Sequence, residues 1–327
     1  MKTKIIATVG PKSENLIDEM RKKGVEIFRL NFSHGTRPWH KTQIEKIIAA
    51  GGIAMMDTRG PEIRSGKIDG EITLKKGDRL TLVTNETAQN PENNLIFCNY
   101  ADLPKSVAAG DKIIFDNGRF SATVASVHQN SVVTTLDDDG ILRSGRHINL
   151  PGIRVALPTI SKKDEIDIKF AVNAGAKMVA LSFVRAAKDI FEARKIVGDA
   201  VKIIAKIECA DAVKNFSSIA RVADGVMIAR GDLAVETRLE DLPILQKDLL
   251  KKVKKFPDTF SIVATGLLRS MVDEPTPRRA EATDIAAAVW EGADFLMLSD
   301  ETAAGKFPLK AIDELKIIAE KAEKNTD

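Results

Sequence analysis

Lys206 and Glu208 stand two residues apart at the end of a β-branched apolar run, Val201-Lys-Ile-Ile-Ala205. If the strand continues through them, that spacing puts both side chains on one face. A carboxylate there can hold a divalent metal beside a lysine that meets phosphate; the alternative is a structural ion pair. Arg230-Gly-Asp232 follows another apolar run, with a glycine where a strand turns into a helix. Its amides suit a phosphate or carboxylate, and Asp232 either completes a metal site or caps the helix. Other apolar runs end on Arg29 and Asn31 with Ser33, on Asp57 with Thr58, on Ser182, on Thr265, and on Ser299 with Glu301. Charges directly after Val, Ile, Leu and Met are costly unless paired or bound to something. Two cations, several carboxylates and a set of hydroxyls fit a divalent metal with an anionic substrate.

The elements that carry these residues repeat one unit. A polar helical stretch ends in Gly, a β-branched apolar run follows, and a polar residue closes it, as in Gly24-Val-Glu-Ile-Phe-Arg-Leu-Asn31 and Gly292-Ala-Asp-Phe-Leu-Met-Leu-Ser299. Such glycines stop helices, and such runs are strands of a parallel sheet buried on both faces. The runs fall at 4–9, 26–30, 53–56, 178–182, 201–205, 225–229, 260–264 and 295–298. Eight strand–helix units predict a (β/α)₈ TIM barrel, with a doubly wound open sheet as the alternative, and in such a barrel the chemistry lies at the carboxyl ends of the strands. Ser161-Lys-Lys-Asp164 opens one helix as an acidic capping box, with Ile166 and Phe170 expected on its apolar side. Ile312, Leu315, Ile318 and Ala319 mark another amphipathic face. Between the third and fourth runs the rhythm changes to alternating segments such as Arg79-Leu-Thr-Leu-Val83 and Ser131-Val-Val-Thr-Thr-Leu136, divided by turn formers. They predict a small antiparallel β-barrel inserted where lids form. The expected organisation is barrel at 1–66, insert at 67–147 and barrel again at 148–327.

With 327 residues, 44% of them hydrophobic, 29% charged and a net charge of +3, the chain reads as a soluble globular protein. The charge argues for no nucleic-acid partner, and Lys247, Lys251, Lys252, Lys254 and Lys255 read as a solvated helix face. The longest apolar run, 47–56, is about half a membrane span. The amino terminus lacks a signal-peptide pattern. Two cysteines without close spacing suit a reducing cytoplasm. Cys209 reads as a packed side chain, Trp39 and Trp290 as core or interface aromatics, His128 and His147 as solvated, and Asp137 to Asp139 as a hairpin turn.

Several segments together resemble pyruvate kinases. They are Thr3-Lys-Ile-Ile-Ala-Thr-Val-Gly-Pro11, Arg29-Leu-Asn-Phe-Ser-His-Gly35, Asp57-Thr-Arg-Gly-Pro-Glu-Ile-Arg64, Asn149-Leu-Pro-Gly152, Lys206-Ile-Glu208, Ala229-Arg-Gly-Asp-Leu233 and Ser299-Asp-Glu-Thr-Ala303. They occur in that family's order, around an insert at its lid position. The resemblance implies phosphoryl transfer from phosphoenolpyruvate to ADP in glycolysis, giving pyruvate and ATP. Glu208 and Asp232 would bind Mg²⁺ or Mn²⁺. Arg29 and Lys206 would meet the transferred phosphoryl group, and Gly231, Asp232, Thr265 and Ser299 would border the substrate. Thr265 would lie near the methylene that must take a proton. Asn31, Ser33, Asp57 and Thr58 would form a K⁺ site, a dependence that accompanies Glu62. Asn31, His34, Arg64 and Arg146 would approach the nucleotide. The lid would close to exclude water.

The chain departs from the family pattern at Ala234 and Asp300, where Gly is usual, at Thr265-Gly-Leu267 for Thr-Gln-Met, at Arg278 for Thr, and at Arg146 for Lys. It also stops after the last barrel helix. A short form without the C-terminal domain or its sugar-phosphate site is expected, with homo-oligomers forming through the barrel surface. Competing readings are a metal-dependent lyase or aldolase acting on pyruvate enolate, and a weakened relative with a binding or regulatory role.

Overall fold

The computed structural model describes residues 2–153 and 155–325. Met1 and Asp327, which bound the expected first and last segments, lie outside the described residues. In chain order the first strands are β1 (Lys4–Thr8), β2 (Val25–Asn31) and β3 (Ile53–Asp57). Next come β4 (Glu71–Leu74), β5 (Arg79–Val83), β6 (Leu95–Phe97), β7 (Lys112–Phe115), β8 (Phe120–His128), β9 (Ser131–Leu136), β10 (Gly140–Arg143) and β11 (Ile148–Asn149). The last are β12 (Met178–Leu181), β13 (Lys202–Ile207), β14 (Gly225–Ala229), β15 (Phe260–Ala264) and β16 (Phe295–Leu298).

Strands β1, β2, β3 and β12 to β16 close into a barrel in the order β1-β16-β15-β14-β13-β12-β3-β2. Every pairing around the ring is parallel, as the eight apolar runs predict. Strand alternation divides the side chains. One set packs inside the barrel as a plug of Ile6, Ile27, Met55, Met178, Ala180, Ile204, Met227, Ile262, Ala264 and Met297. The other set, including Ile5, Phe28, Ala54, Val179, Ile203, Val226, Val263 and Leu296, meets the surrounding helices. These strands belong to a compact unit made of Met1–Gly60, Thr159–Leu233 and Glu240–Asp327.

Pro61–Pro158 with Ala234–Leu239 form a second compact unit. The limits expected from the sequence, 67 and 147, fall within it. It contains a six-stranded sheet, β11-β7-β8-β9-β5-β6, and a two-stranded ribbon, β10-β4. All its pairings are antiparallel except β5 with β6. A separate core of Leu80, Ile96, Tyr100, Ile113, Phe115, Phe120 and Val132 holds it together. Asp137 to Asp139 turn from β9 into β10, with Asp137 and Asp139 paired to Lys112 and Lys75.

The helix Lys162–Asn173 starts at the predicted capping box, in which Ser161 and Asp164 cap each other's backbone amides. Of its expected apolar side, Phe170 packs against the core but Ile166 is exposed, whereas Asp164, Asp167, Ile168 and Ala171 are buried. Asp164 turns inward because it also receives the amides of Arg59 and Gly60 at the end of β3. Asp167 turns inward to pair with Arg37 and Lys163. The helix Pro308–Glu323 buries Ala311, Ile312, Leu315, Ala319 and Ala322, as its pattern predicts. Trp290 is exposed but donates its indole N–H to the Ala322 carbonyl.

The barrel plug is the rigid base of everything at its mouth. Ile204→Ala would remove buried methyl groups from the plug beneath Lys206, and we expect a loss of about 2–5 kcal/mol in unfolding free energy. Urea denaturation measures it; a loss below about 1 kcal/mol would mean that the plug is loosely packed there.

Candidate active site

The plug ends where the inward positions become polar. Two residues beyond Ile6 stands Thr8; beyond Ile27 stand Arg29 and Asn31; beyond Met55, Asp57; beyond Ala180, Ser182; and beyond Ile204, Lys206 and Glu208. Strand β13 runs through Ile207, so the spacing argument for Lys206 applies. Lys206 Nζ lies 3.0 Å from Asp57 Oδ1 and 2.8 Å from Glu208 Oε1, and donates to Ser182 Oγ at 2.7 Å. Arg29 Nε donates to the other Asp57 oxygen at 2.6 Å, and its Nη1 reaches Thr8 Oγ1 at 3.3 Å. Glu208 Oε2 accepts the Phe183 amide at 2.7 Å. Phe183 takes φ = 51°, which aims that amide at the carboxylate.

Burial opposes every charge in this cluster, and the partners answer it. Burial works to raise the Asp57 carboxyl, but Lys206 and Arg29 hold it below the usual carboxylate range. Burial disfavours the Lys206 ammonium, yet Asp57 and Glu208 keep it protonated well above an ordinary lysine. Burial pushes the Glu208 carboxyl up to about 7, helped by repulsion from Asp232 and opposed by Lys206 and the Phe183 amide. Glu208 Oε1 is buried, and its close partner among the described residues is the Lys206 ammonium at 2.8 Å.

The remaining expected residues of this unit also gather at strand ends. Asn31 and Asp57 are register partners on β2 and β3. Asn31 Oδ1 accepts the Ser33 amide at 3.0 Å, and Thr58 Oγ1 accepts the Ser182 amide at 2.9 Å. His34 is exposed in the same β2 loop, where its amide bonds the Asn31 carbonyl. Asp232 is half-buried in the first turn of the helix Arg230–Glu236, and Gly231 precedes it. Thr265 directly follows β15 with φ = 76°. Ser299 follows β16, and its amide donates to the buried Glu301, which also receives the Leu268 amide. Glu301 thus ties two strand-end loops together. Asp300 is exposed and pairs with Arg269 at 3.0 Å.

In the second unit Arg64 and Arg146 occupy separate clusters. Arg64 donates Nε to Glu62 at 2.7 Å and Nη1 to the Gly145 carbonyl, while Nη2 meets His147 Nε2. Glu62 Oε1 also lies 3.3 Å from that imidazole nitrogen. His147, expected to be solvated, is half-buried between them, because β11 starts beside it and Arg64 bridges to it. Arg146 Nη1 lies 3.4 Å from Asp116 Oδ1. Sequence reasoning gave Phe183 no part, and gave the Arg230 side chain none either. An arginine at a strand end, immediately before a glycine, was the available signal.

Fold and cluster define a class: a (β/α)₈ barrel whose ionic centre is built at the carboxyl ends of its strands. A family model described as pyruvate kinase, barrel domain, matches residues 1–312. The chain is 40% identical to a pyruvate kinase of Geobacillus stearothermophilus, over 98% of this chain and 57% of that protein. It is 39% identical to pyruvate kinase isozyme G, chloroplastic, of Nicotiana tabacum, over 98% of this chain and 59% of that protein. With a pyruvate kinase of Clostridium perfringens it shares 36% identity over 100% of this chain and 71% of that protein. This chain belongs to the pyruvate kinase family. It spans 57% and 59% of the length of the first two of these relatives.

The cluster predicts a pH-dependent stability change. Lys206→Met leaves Asp57 and Glu208 buried with one cation fewer, which costs about 3–5 kcal/mol when both are ionised. A carboxyl raised above its unfolded value takes a proton as pH falls, and that relieves the repulsion. The loss relative to the parent should therefore be larger at pH 8 than at pH 5.5 in metal-free urea denaturation. An equal loss at both pH values would show that Glu208 does not carry the compensation.

Proposed function

We propose that this chain transfers the phosphoryl group of phosphoenolpyruvate to ADP, giving pyruvate and ATP. Family membership supports this, and the observation that carries it is Lys206 held charged between Asp57 and Glu208 at the barrel mouth. Phosphoryl transfer asks the protein for positioning and charge neutralisation more than for covalent chemistry. Arg29 and Lys206 present two fixed cations to the moving phosphoryl group. Because Asp57 braces both, they need not reorganise as its charge shifts. Gly231, Asp232 and Ser299 border the substrate, and Thr265 orients the proton that completes pyruvate.

Glu208 and Asp232 would hold Mg²⁺ or Mn²⁺. The buried Glu208 Oε1 meets the Lys206 ammonium in poor hydrogen-bond geometry, and carboxylate oxygens are the donors these hard cations take. When bound, the metal supplies Lewis-acid stabilisation of enolate and phosphoryl oxygens. With all five side chains ionised, Arg29 and Lys206 against Asp57, Glu208 and Asp232 sum to −1. A divalent ion makes the site +1, the sign an anionic substrate requires.

Asn31, Ser33, Asp57 and Thr58 offer oxygens on neighbouring strand ends, a set that suits K⁺. Asn31, His34, Arg64 and Arg146 are the proposed nucleotide contacts. No helix of the described residues is long and apolar enough to cross a membrane. The two cysteines are free, and that supports the cytoplasm as the working compartment.

The test is pyruvate release from phosphoenolpyruvate and ADP with Mg²⁺, with and without K⁺. Turnover should need both ions, and Lys206→Met should lower kcat by about 10³-fold or more, as expected for a lost charge stabiliser. Turnover indifferent to K⁺ would remove the role of the Asn31 to Thr58 group. A folded protein without turnover in any buffer would overturn the proposal. In a parallel measurement, Mn²⁺ should raise the melting temperature of the parent, and Glu208→Gln should abolish the shift.

A further inference from the structure

Thr265 is held in a conformation it would not choose. A β-branched residue at φ = 76° is a genuine outlier, and such strain persists only where the surroundings over-determine it. The structure shows what determines it. The Thr265 carbonyl accepts two hydrogen bonds from the Arg230 guanidinium, from Nε at 3.1 Å and from Nη2 at 2.8 Å. Arg230 is 91% buried, since only 9% of its surface is exposed. Its third nitrogen is tied down as well: Nη1 donates to Asp284 Oδ1 at 2.7 Å and to Gln246 Oε1 at 3.3 Å. Gln246 in turn donates to Glu291 at 2.8 Å. From the other side Gly231 leaves room, because a Cβ there would stand 3.0 Å from Thr265 Cγ2. Two consecutive residues after β14 therefore shape the residue after β15: one grips its carbonyl and the other clears space for its methyl.

We infer that Arg230 is a positioning residue for proton delivery, acting through Thr265; this rests on the proposed phosphoenolpyruvate reaction. In that reaction the P–O bond breaks as the phosphoryl group passes to the terminal oxygen of the nucleoside diphosphate. The bonding pair stays on the enolate oxygen. The C=C pair then takes a proton at the methylene carbon, the C=O bond re-forms, and the hydroxyl or water that gave the proton is reprotonated from solvent. Releasing the carbonyl lets Thr265 relax toward negative φ and swings its hydroxyl away. The phosphoryl site at Arg29 and Lys206 has no hydrogen bond or ion pair to Arg230 among the described contacts, so substrate binding should survive.

A planar guanidinium makes paired bonds to one oxygen and still reaches Asp284, which an ammonium cannot reproduce. Arg230→Lys keeps the charge that Asp284 needs, and Arg230→Met removes it. The Lys variant should lose about 10- to 100-fold in kcat, the scale of a misplaced catalytic group, with KM for phosphoenolpyruvate within about threefold of the parent. Exchange of pyruvate methyl protons in D₂O, with Mg²⁺ and ATP present and followed by NMR, should slow by a similar factor. The Met variant should be slower still; if it fails to fold, the Lys variant decides alone. Unchanged kcat and exchange with a lower melting temperature would overturn the inference and leave Arg230 as scaffold. A rise confined to KM would overturn it in favour of substrate binding. A parent chain without turnover sinks the proposed function and this inference together, whereas an active parent with an unaffected Lys variant sinks only the inference.

Discussion

The Lys206 ammonium sits nearly out of water, where a lone charge would cost several kcal/mol. It persists because Asp57 comes from β3, Ser182 from the end of β12 and Glu208 from its own strand, all within hydrogen-bonding reach. None of these partners is local in sequence except Glu208. Closing the barrel is therefore a condition for the charge to exist there. Conversely, a buried ionic cluster is weak evidence of stability, since apolar residues of similar size would often serve as well. The plug directly below shows that this barrel packs apolar residues when packing is the only demand.

Where the sequence was legible, one physical rule dominated locally. Eight apolar runs became eight parallel strands because burial on both faces suits a parallel sheet. Ser161 and Asp164 formed their capping box because both partners lie within one turn. The inward column at Ile204, Lys206 and Glu208 follows from strand alternation alone. Legibility failed where a distant partner reversed a local preference. Ile166 looks core-facing until Asp164 and Asp167 find backbone amides and cations that pull the other face inward. His147 looks solvated until Arg64, some eighty residues earlier, crosses to it. The Arg230 side chain was given no part, because its partners Thr265, Asp284 and Gln246 lie on other elements.

The departures from the family pattern can be weighed the same way. Asp300 brings a charge near a proposed anion site, but Arg269 answers it at the exposed surface, at 3.0 Å. Screening there makes such a pair worth little. Gly266 replaces a larger residue but takes φ = 79°, immediately after the left-handed Thr265. Two successive left-handed residues are hard to build without a glycine, so this exchange suits the backbone that Arg230 holds. Arg278 is exposed, and its amide donates to Glu281 at the start of the helix Arg279–Trp290.

The distribution of strain sharpens the functional argument. In the barrel unit, the non-glycine residues with left-handed φ among those described are Phe183 and Thr265. Neither is an Asn or Asp, the types that tolerate this region, and both stand within two residues of a barrel strand's carboxyl end. Each is bonded to a charged side chain of the mouth: the Phe183 amide to Glu208, and the Thr265 carbonyl to Arg230. The backbone is thus bent at two points where a main-chain dipole meets a buried charge. A scaffold selected for stability alone would relax both. Strain confined to the mouth, above a plug free of it, is what a barrel shows when geometry at the strand ends is held at the expense of stability.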